Sequence, residues 1–227
     1  CVPATSTPPW AIHPCPDRPW SGPSNTAAFG TVVGVPLFDV SDLLDDRTLR
    51  GPAFCEALTA RTDEDLAGIF AAADPPDGTA LAAIGGYGRR EQCPSSDVDV
   101  VLLHAPGVDV AAAAERIWYP LWDAGLKLGH QVGTVDQLLK VGGEAVEMAT
   151  SLLAARTVAG DAELVEALAV GALDQWQARS RRNLDRLQES VAERHARYGE
   201  VAFLLEPDLK EARGGLRDVH NLLWVEK

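Results

Sequence analysis

The chain has 227 residues, 46% of them hydrophobic and 23% charged. That balance suits a folded protein of one or two domains with a sizeable core, and it excludes wholesale disorder. Twenty basic against thirty-three acidic side chains leave a formal charge of -13, which opposes binding to a nucleic acid backbone or an anionic membrane, so any polyanionic ligand has to be held by local donors or a metal.

Residues 1–30, "CVPATSTPPWAIHPCPDRPWSGPSNTAAFG", are rich in proline and small polar residues and cannot sustain a helix or a central strand. They are read as a mobile leader that extends to about residue 40. The four cysteines, Cys1, Cys15, Cys55 and Cys93, contain no C-x-x-C pair and read as free thiols of a reducing compartment. His13 and Cys15 lack a second ligand pair at zinc-site spacing. There is no apolar stretch of membrane-spanning length and no signal-peptide pattern, so a cytoplasmic protein is expected.

From Ser41 the pattern turns helical, with capping candidates at Ser41 and Thr62 and a break at Gly51-Pro52; Leu66, Ile69, Phe70 and Ala73 share one face. Short apolar strands are predicted at 80–84 and 98–103. A helix over 109–124 places Val110, Ala114, Ile117, Trp118, Leu121 and Trp122 together, with Pro120 as a kink. A third strand is predicted over 126–135. Helices follow at 145–159, ended by Gly160, at 161–175 and at 177–199, where Leu184, Leu187, Val191 and Tyr198 form one face. Arg179, Arg181, Arg182 and Arg186 read as a solvated helix face, or otherwise as a docking patch. His130 and His220 read as packed or hydrogen-bonded rather than catalytic.

The chemistry concentrates in "AIGGYGRREQCPSSDVDVVLLH", residues 83–104. In a strand Asp97 and Asp99 stand on one face while Val98 and Val100 face the other. Two carboxylates so placed repel unless a cation lies between them, and Mg2+ (or Mn2+), a hard ion that shares oxygen ligands with phosphates, is the expected occupant. Gly85 and Gly86 follow directly on the first strand, which lets the backbone approach a triphosphate. The segment "YGRREQ" is predicted as a short helical turn that faces the same anion with Arg89 or Arg90, and Ser96 adds a hydroxyl beside the metal pair.

Strand, Gly-Gly, about ten residues, Ser-Asp-x-Asp, strand resembles the minimal site of the polymerase-β-like nucleotidyltransferases. More specifically, "AIGGYGRREQCPSSDVDVVLLH", "WYPLWDAGLKLGHQVGTV", "SLLAARTVAGD" and "LLEPDLKEARGGLRDVHNLLW" resemble, in that order, the catalytic part of bacterial protein-PII uridylyltransferases of actinobacterial type. The resemblance spans about residues 45–224 and implies an α+β polymerase-β-like fold, a small mixed sheet with helices, followed by a helical domain. It implies a nucleotidyltransferase domain over 41–143 with its leading helices, and a helical domain over 144–227. The implied reaction moves UMP from UTP, or AMP from ATP, to a tyrosine of the trimeric PII signalling protein. Gly85, Gly86, Ser96, Asp97 and Asp99 take the nucleotide and metal roles, Arg89, Lys210 and Arg217 join the nucleotide-binding set, and Asp97 and Asp99 are the catalytic metal ligands.

Full-length members of the family continue into phosphohydrolase and ACT domains, so a truncated product is expected, with glutamine-insensitive transfer. The family's "HSVRT" reads His130-Gln131-Val132-Gly133-Thr134 here, replacing an arginine with Gly133. An arginine there would face the triphosphate if its strand lies beside the Asp97 strand. Residues 126–135 contain no third carboxylate, and Asp123 and Asp136 only flank them. The alternatives are a weak or silent module that binds nucleotide or PII, and a nucleotidyltransferase acting on glutamine synthetase. No nucleic acid or membrane partner is expected.

Overall fold

A computed structural model describes residues 31, 32, 35, 36 and 38–227; residues 1–30, with His13 and Cys15, lie outside the described residues. The two-residue strands β1 (Thr31–Val32) and β2 (Val35–Pro36) pair antiparallel. Phe38, within the expected leader, already belongs to the fold: it packs on the core, and its amide donates to Asp65 at 2.7 Å. After α1 (Ser41–Asp45), the long α2 (Pro52–Ala72) starts at the predicted break. A proline in the first turn costs nothing there, since its missing N–H would have no helical partner. Thr62 caps no new helix. It sits inside α2, and its hydroxyl donates to the Leu58 carbonyl at 2.9 Å.

The remaining elements are β3 (Thr79–Ala83), α3 (Gly85–Gly88), β4 (Val98–His104), α4 (Ala111–Asp123), β5 (Leu128–Gly133), α5 (Val135–Glu144), α6 (Val146–Leu152), β6 (Arg156–Gly160), α7 (Ala162–Ala178), α8 (Ser180–Tyr198) and α9 (Leu216–Glu226). Four strands form one mixed sheet in the order β5-β4-β3-β6. β3 pairs antiparallel with β4 and β6, and β5 runs parallel to β4 after the α4 crossover. Helices cover both faces. Leu81, Ala83, Val98, Val100 and Leu102 meet the buried faces of α2 and α4. Ala80, Ala82, Val101 and Leu103 meet α5, α6 and α7. A strand covered on both sides needs an apolar residue at nearly every position, which is why β3 and β4 read as continuous apolar runs.

Several expectations need correction. The helix predicted over 145–159 is two elements: α6 stops at Leu152, and Arg156–Gly160 form β6. Pairing with the open edge of β3 overrides the local helical pattern. This strand from the expected helical half therefore belongs to the sheet. α5 was not foreseen, although Thr134 and Gln137 form a reciprocal capping box at its start. Trp122 is 46% exposed rather than part of the α4 core stripe. Leu184 of α8 is exposed too, whereas Leu187 is buried. Arg186 is not a solvated residue: it donates to the Gly143 and Glu144 carbonyls at the end of α5.

The "EPDLKEARGGLRD" segment is a cross-braced turn. Asp208 accepts the Lys210 and Glu211 amides at 2.9 and 2.8 Å. Asp218 accepts from Arg194, from the Gly214 amide at 2.7 Å and from His195 at 2.9 Å. Burial works against the Asp218 carboxylate, but these donors outweigh it and hold its pKa at about 2. A depressed folded-state pKa contributes stability above the unfolded value, near about 4, that is lost as pH falls toward about 2. Denaturant melts between these limits should show wild type weakening more steeply with acid than Asp218→Asn; parallel slopes would mean that the brace is not formed.

Candidate active site

β4 delivers Asp97 and Asp99 to the end of the sheet. Val98 and Val100 point into the α2/α4 core, so the two aspartates share the opposite face, as the alternation requires. Asp97 is exposed and Asp99 is half-buried. The Asp99 carbonyl accepts the Ile84 amide at 3.0 Å, which ties the start of β4 to the turn after β3. That turn is α3, and it begins at the glycines themselves rather than at Tyr87.

Gly85 has φ +59°, a backbone region that favours glycine, and a methyl group added to it would lie 3.2 Å from Asp99 Oδ2. On the other side, Gly129 of β5 is in register with Asp99, and a methyl group there would lie 2.2 Å from Asp99 Oδ1. The Asp99 carboxylate thus sits between two bare glycine backbones. Burial, and then the charge of Asp97, push its pKa up, while Lys210, Arg217 and Arg89 pull it back. Asp97 and Asp99 are the residues here that could hold a divalent cation.

Gly85, Gly86, Arg89, Ser96, Asp97, Asp99, Lys210 and Arg217 all line one cleft of about 800 Å³. It runs between the sheet end, α6, α8 and the segment ending in α9. Sequence positions more than a hundred residues apart therefore meet. Their present partners differ from the expected ones. Arg89 pairs with Glu91 at 2.7 Å, and Arg217 with Glu211 at 3.0 Å. The Ser96 hydroxyl accepts the Cys93 amide at 3.0 Å, closing the 93–96 turn. Lys210 is exposed, with its charge near Asp99.

His220 also lines the cleft; its Nε2 meets Glu91 at 3.0 Å, and burial followed by the Arg89 charge lowers its pKa. His130 is packed against Trp118 and Trp122, with ring centroids 4.9 and 5.6 Å away. Cys55 and Cys93 are free thiols on the cleft wall.

The condition placed on Gly133 holds in part: β5 does lie beside β4, but Gly133 pairs with Leu103. That is four residues beyond Asp99, or about 13 Å along the strand, and a side chain there would start against Gln137. An arginine at this position would not begin at the cleft. No third carboxylate completes a metal cluster among the described residues, and the steric wall at Gly129 explains why β5 carries none opposite Asp99. Sequence reasoning missed Gly129, and also Thr150 and Ser151 of α6, which join the lining. A glycine opposite the second aspartate was the only available signal.

No helix among the described residues is long and apolar enough to cross a membrane. The protein-family profile described as GlnD PII-uridylyltransferase matches residues 182–227. A "Bifunctional uridylyltransferase/uridylyl-removing enzyme" of Streptomyces coelicolor is 47% identical over 186 residues, covering 81% of this chain and 22% of that protein. Proteins of the same name from Mycobacterium tuberculosis and Burkholderia lata are 44% and 38% identical over 64% and 75% of this chain, covering 18% and 20% of their own lengths. A solved structure described as "Crystal structure of the toxin-antitoxin with AMP-PNP" covers 53% of this chain and 92% of its own at 14% identity, with a TM-score of 0.36, too low to bear on the fold. The chain thus spans about a fifth of the length of the curated relatives it matches, and over as much as 81% of its own length it is a sequence relative of the bifunctional uridylyltransferase/uridylyl-removing enzymes.

Proposed function

We propose that this chain is the transferring part of a protein-PII uridylyltransferase with a polymerase-β-like nucleotidyltransferase fold, moving UMP, or AMP, from a nucleoside triphosphate to a tyrosine of PII. The sheet and its flanking helices form the nucleotidyltransferase unit, and α8, α9 and the turn between them form the helical one. The single observation that carries this reading is the convergence of Asp97 and Asp99 with Gly85, Gly86, Arg89, Lys210 and Arg217 on one cleft.

The donor set fits Mg2+ (or Mn2+): two carboxylates on one strand face, opening on a cleft that Arg89, Lys210 and Arg217 also line. When bound, such an ion polarises the phosphoryl oxygens and neutralises the charge that builds up on them. The chain's own residues do the rest. Gly85 and Gly86 let the main chain come close to the phosphates. Lys210 and Arg217 approach from the opposite wall, each charge-assisted contact contributing about 1.5–3 kcal/mol. Arg89 leaves Glu91 for a phosphate oxygen, and His220 keeps Glu91 in place.

An acidic protein can hold a triphosphate in this way because the cations are local to the cleft. The test is to incubate the chain with the PII protein of its organism, Mg2+ or Mn2+, and UTP or ATP labelled at the α-phosphate. Label appearing on PII, and lost when a chelator is added, is the expected result. A folded chain that labels nothing with either nucleotide overturns the proposal.

A further inference from the structure

Directly behind the Gly85–Gly86 turn lies a charged cluster that the transfer reaction does not use. Tyr87, 1% exposed, donates its hydroxyl to Asp63 Oδ1 of α2 at 2.5 Å. Arg156 of β6 grips the same carboxylate with both terminal nitrogens, at 2.8 and 2.9 Å. Its guanidinium also lies over the Tyr87 ring, 5.4 Å from the centroid. Burial, reinforced by Asp63, raises the Tyr87 pKa, so the phenol stays a neutral donor. Three elements distant in sequence, α2, α3 and β6, therefore meet on one carboxylate.

A phenylalanine would fill the space of Tyr87 without demanding a partner. A partly buried ion pair such as Asp63–Arg156 is also weak support for stability compared with apolar packing. What the cluster supplies that apolar packing does not is direction. Tyr87 follows Gly86 immediately, and its ring enters the α2/α4 core while its backbone belongs to the turn lining the cleft. The hydroxyl fixes how deep the ring goes, and so how far the Gly85–Gly86 backbone stands from Asp99. Arg156 anchors the other end through β6, opposite Ala83, the last residue of β3 before the turn.

We infer that Asp63, Tyr87 and Arg156 form a positioning unit that sets the phosphate-facing turn at its working distance from Asp99. The inference rests on the proposed reading of the cleft as a triphosphate site. Tyr87→Phe keeps the ring and removes only the hydroxyl; Asp63→Asn keeps the shape and removes the charge. In both, the KM for the Mg2+ complex of UTP or ATP should rise about tenfold, the worth of one hydrogen bond, with kcat little changed, since the turn holds phosphates before and during transfer. Amide exchange followed by mass spectrometry should accelerate in residues 84–91 and stay as in wild type in β3 and β4.

A purely structural role would lower the melting temperature and leave the KM of the folded fraction untouched. That result overturns the inference, as does exchange that is unchanged at 84–91 or accelerated throughout the sheet. Absence of transfer by the wild type would count against the proposed reaction instead, and the exchange measurement then decides the positioning unit by itself.

Discussion

Asp99→Asn should abolish nucleotidyl transfer and leave the chain at least as stable as wild type at pH 7. If Asp99 holds the proposed divalent cation, losing its charge forfeits several kcal/mol of transition-state stabilisation, a fall of at least about a thousandfold. Stability moves the other way. The raised pKa of Asp99, caused first by burial and then by Asp97, means that the folded chain favours its neutral form. Its contribution to stability is therefore full at low pH and is lost as pH rises through the raised value. Asparagine removes that penalty without changing volume. Asp97→Asn should abolish transfer with no comparable gain, because Asp97 is exposed. Label transfer and thermal melts at pH 7 check both, and retained turnover in a folded variant would sink the assignment of the two carboxylates.

Gly129→Ala should cost about a hundredfold in transfer while changing the melting temperature little. The new methyl group would lie 2.2 Å from Asp99 Oδ1, and Gly85 stands on the other flank, so the carboxylate has to swing out of its slot. Displacing a reacting group by about 1 Å costs on that order. The fold can accommodate the change, since the clashing atom is the end of a side chain and alanine suits a strand interior better than glycine. Steady-state kinetics beside a thermal melt separates the two effects. Wild-type kcat in Gly129→Ala would show that the Asp99 orientation is not what the bare backbone protects.

These two variants also mark the limit of what was legible in the sequence. Asp97 and Asp99 declare themselves, because alternation with Val98 and Val100 places them on one face whatever the tertiary fold. Gly129 says nothing by itself: its importance depends on which β4 residue it sits beside, and register across a parallel crossover is a tertiary fact. The same holds for Asp63 and Arg156, 93 residues apart. β6 was misread because "RTVAG" is a short, half-exposed edge strand that adjoins residues with a helical pattern, and only the open flank of β3 calls for a strand there. β3, β4 and α4 were readable to within a few residues, because β3 and β4 are nearly unbroken apolar runs and the buried residues of α4 recur at helical spacing. Gly133 illustrates the converse error. The motif comparison drew attention to it, but position along the strand removes it from the cleft.

The carboxylates and the cations of the cleft also answer to different free energies. Asp97 and Asp99 stand at the end of the sheet, whereas Lys210 and Arg217 ride on a segment that leaves Leu205, Leu209, Leu216 and Leu222 exposed. Its docking rests on the buried Trp224, whose carbonyl accepts the Trp176 indole N–H at 3.0 Å, on the buried Ala212, and on the polar brace of Asp218 to Arg194 and His195 of α8. Regions with few buried contacts open locally at a fraction of the global unfolding free energy. If the cleft holds a triphosphate as proposed, local opening of the C-terminal segment would withdraw Lys210 and Arg217 from it, and binding would fall on warming while the far-ultraviolet signature of the sheet is still that of the native protein.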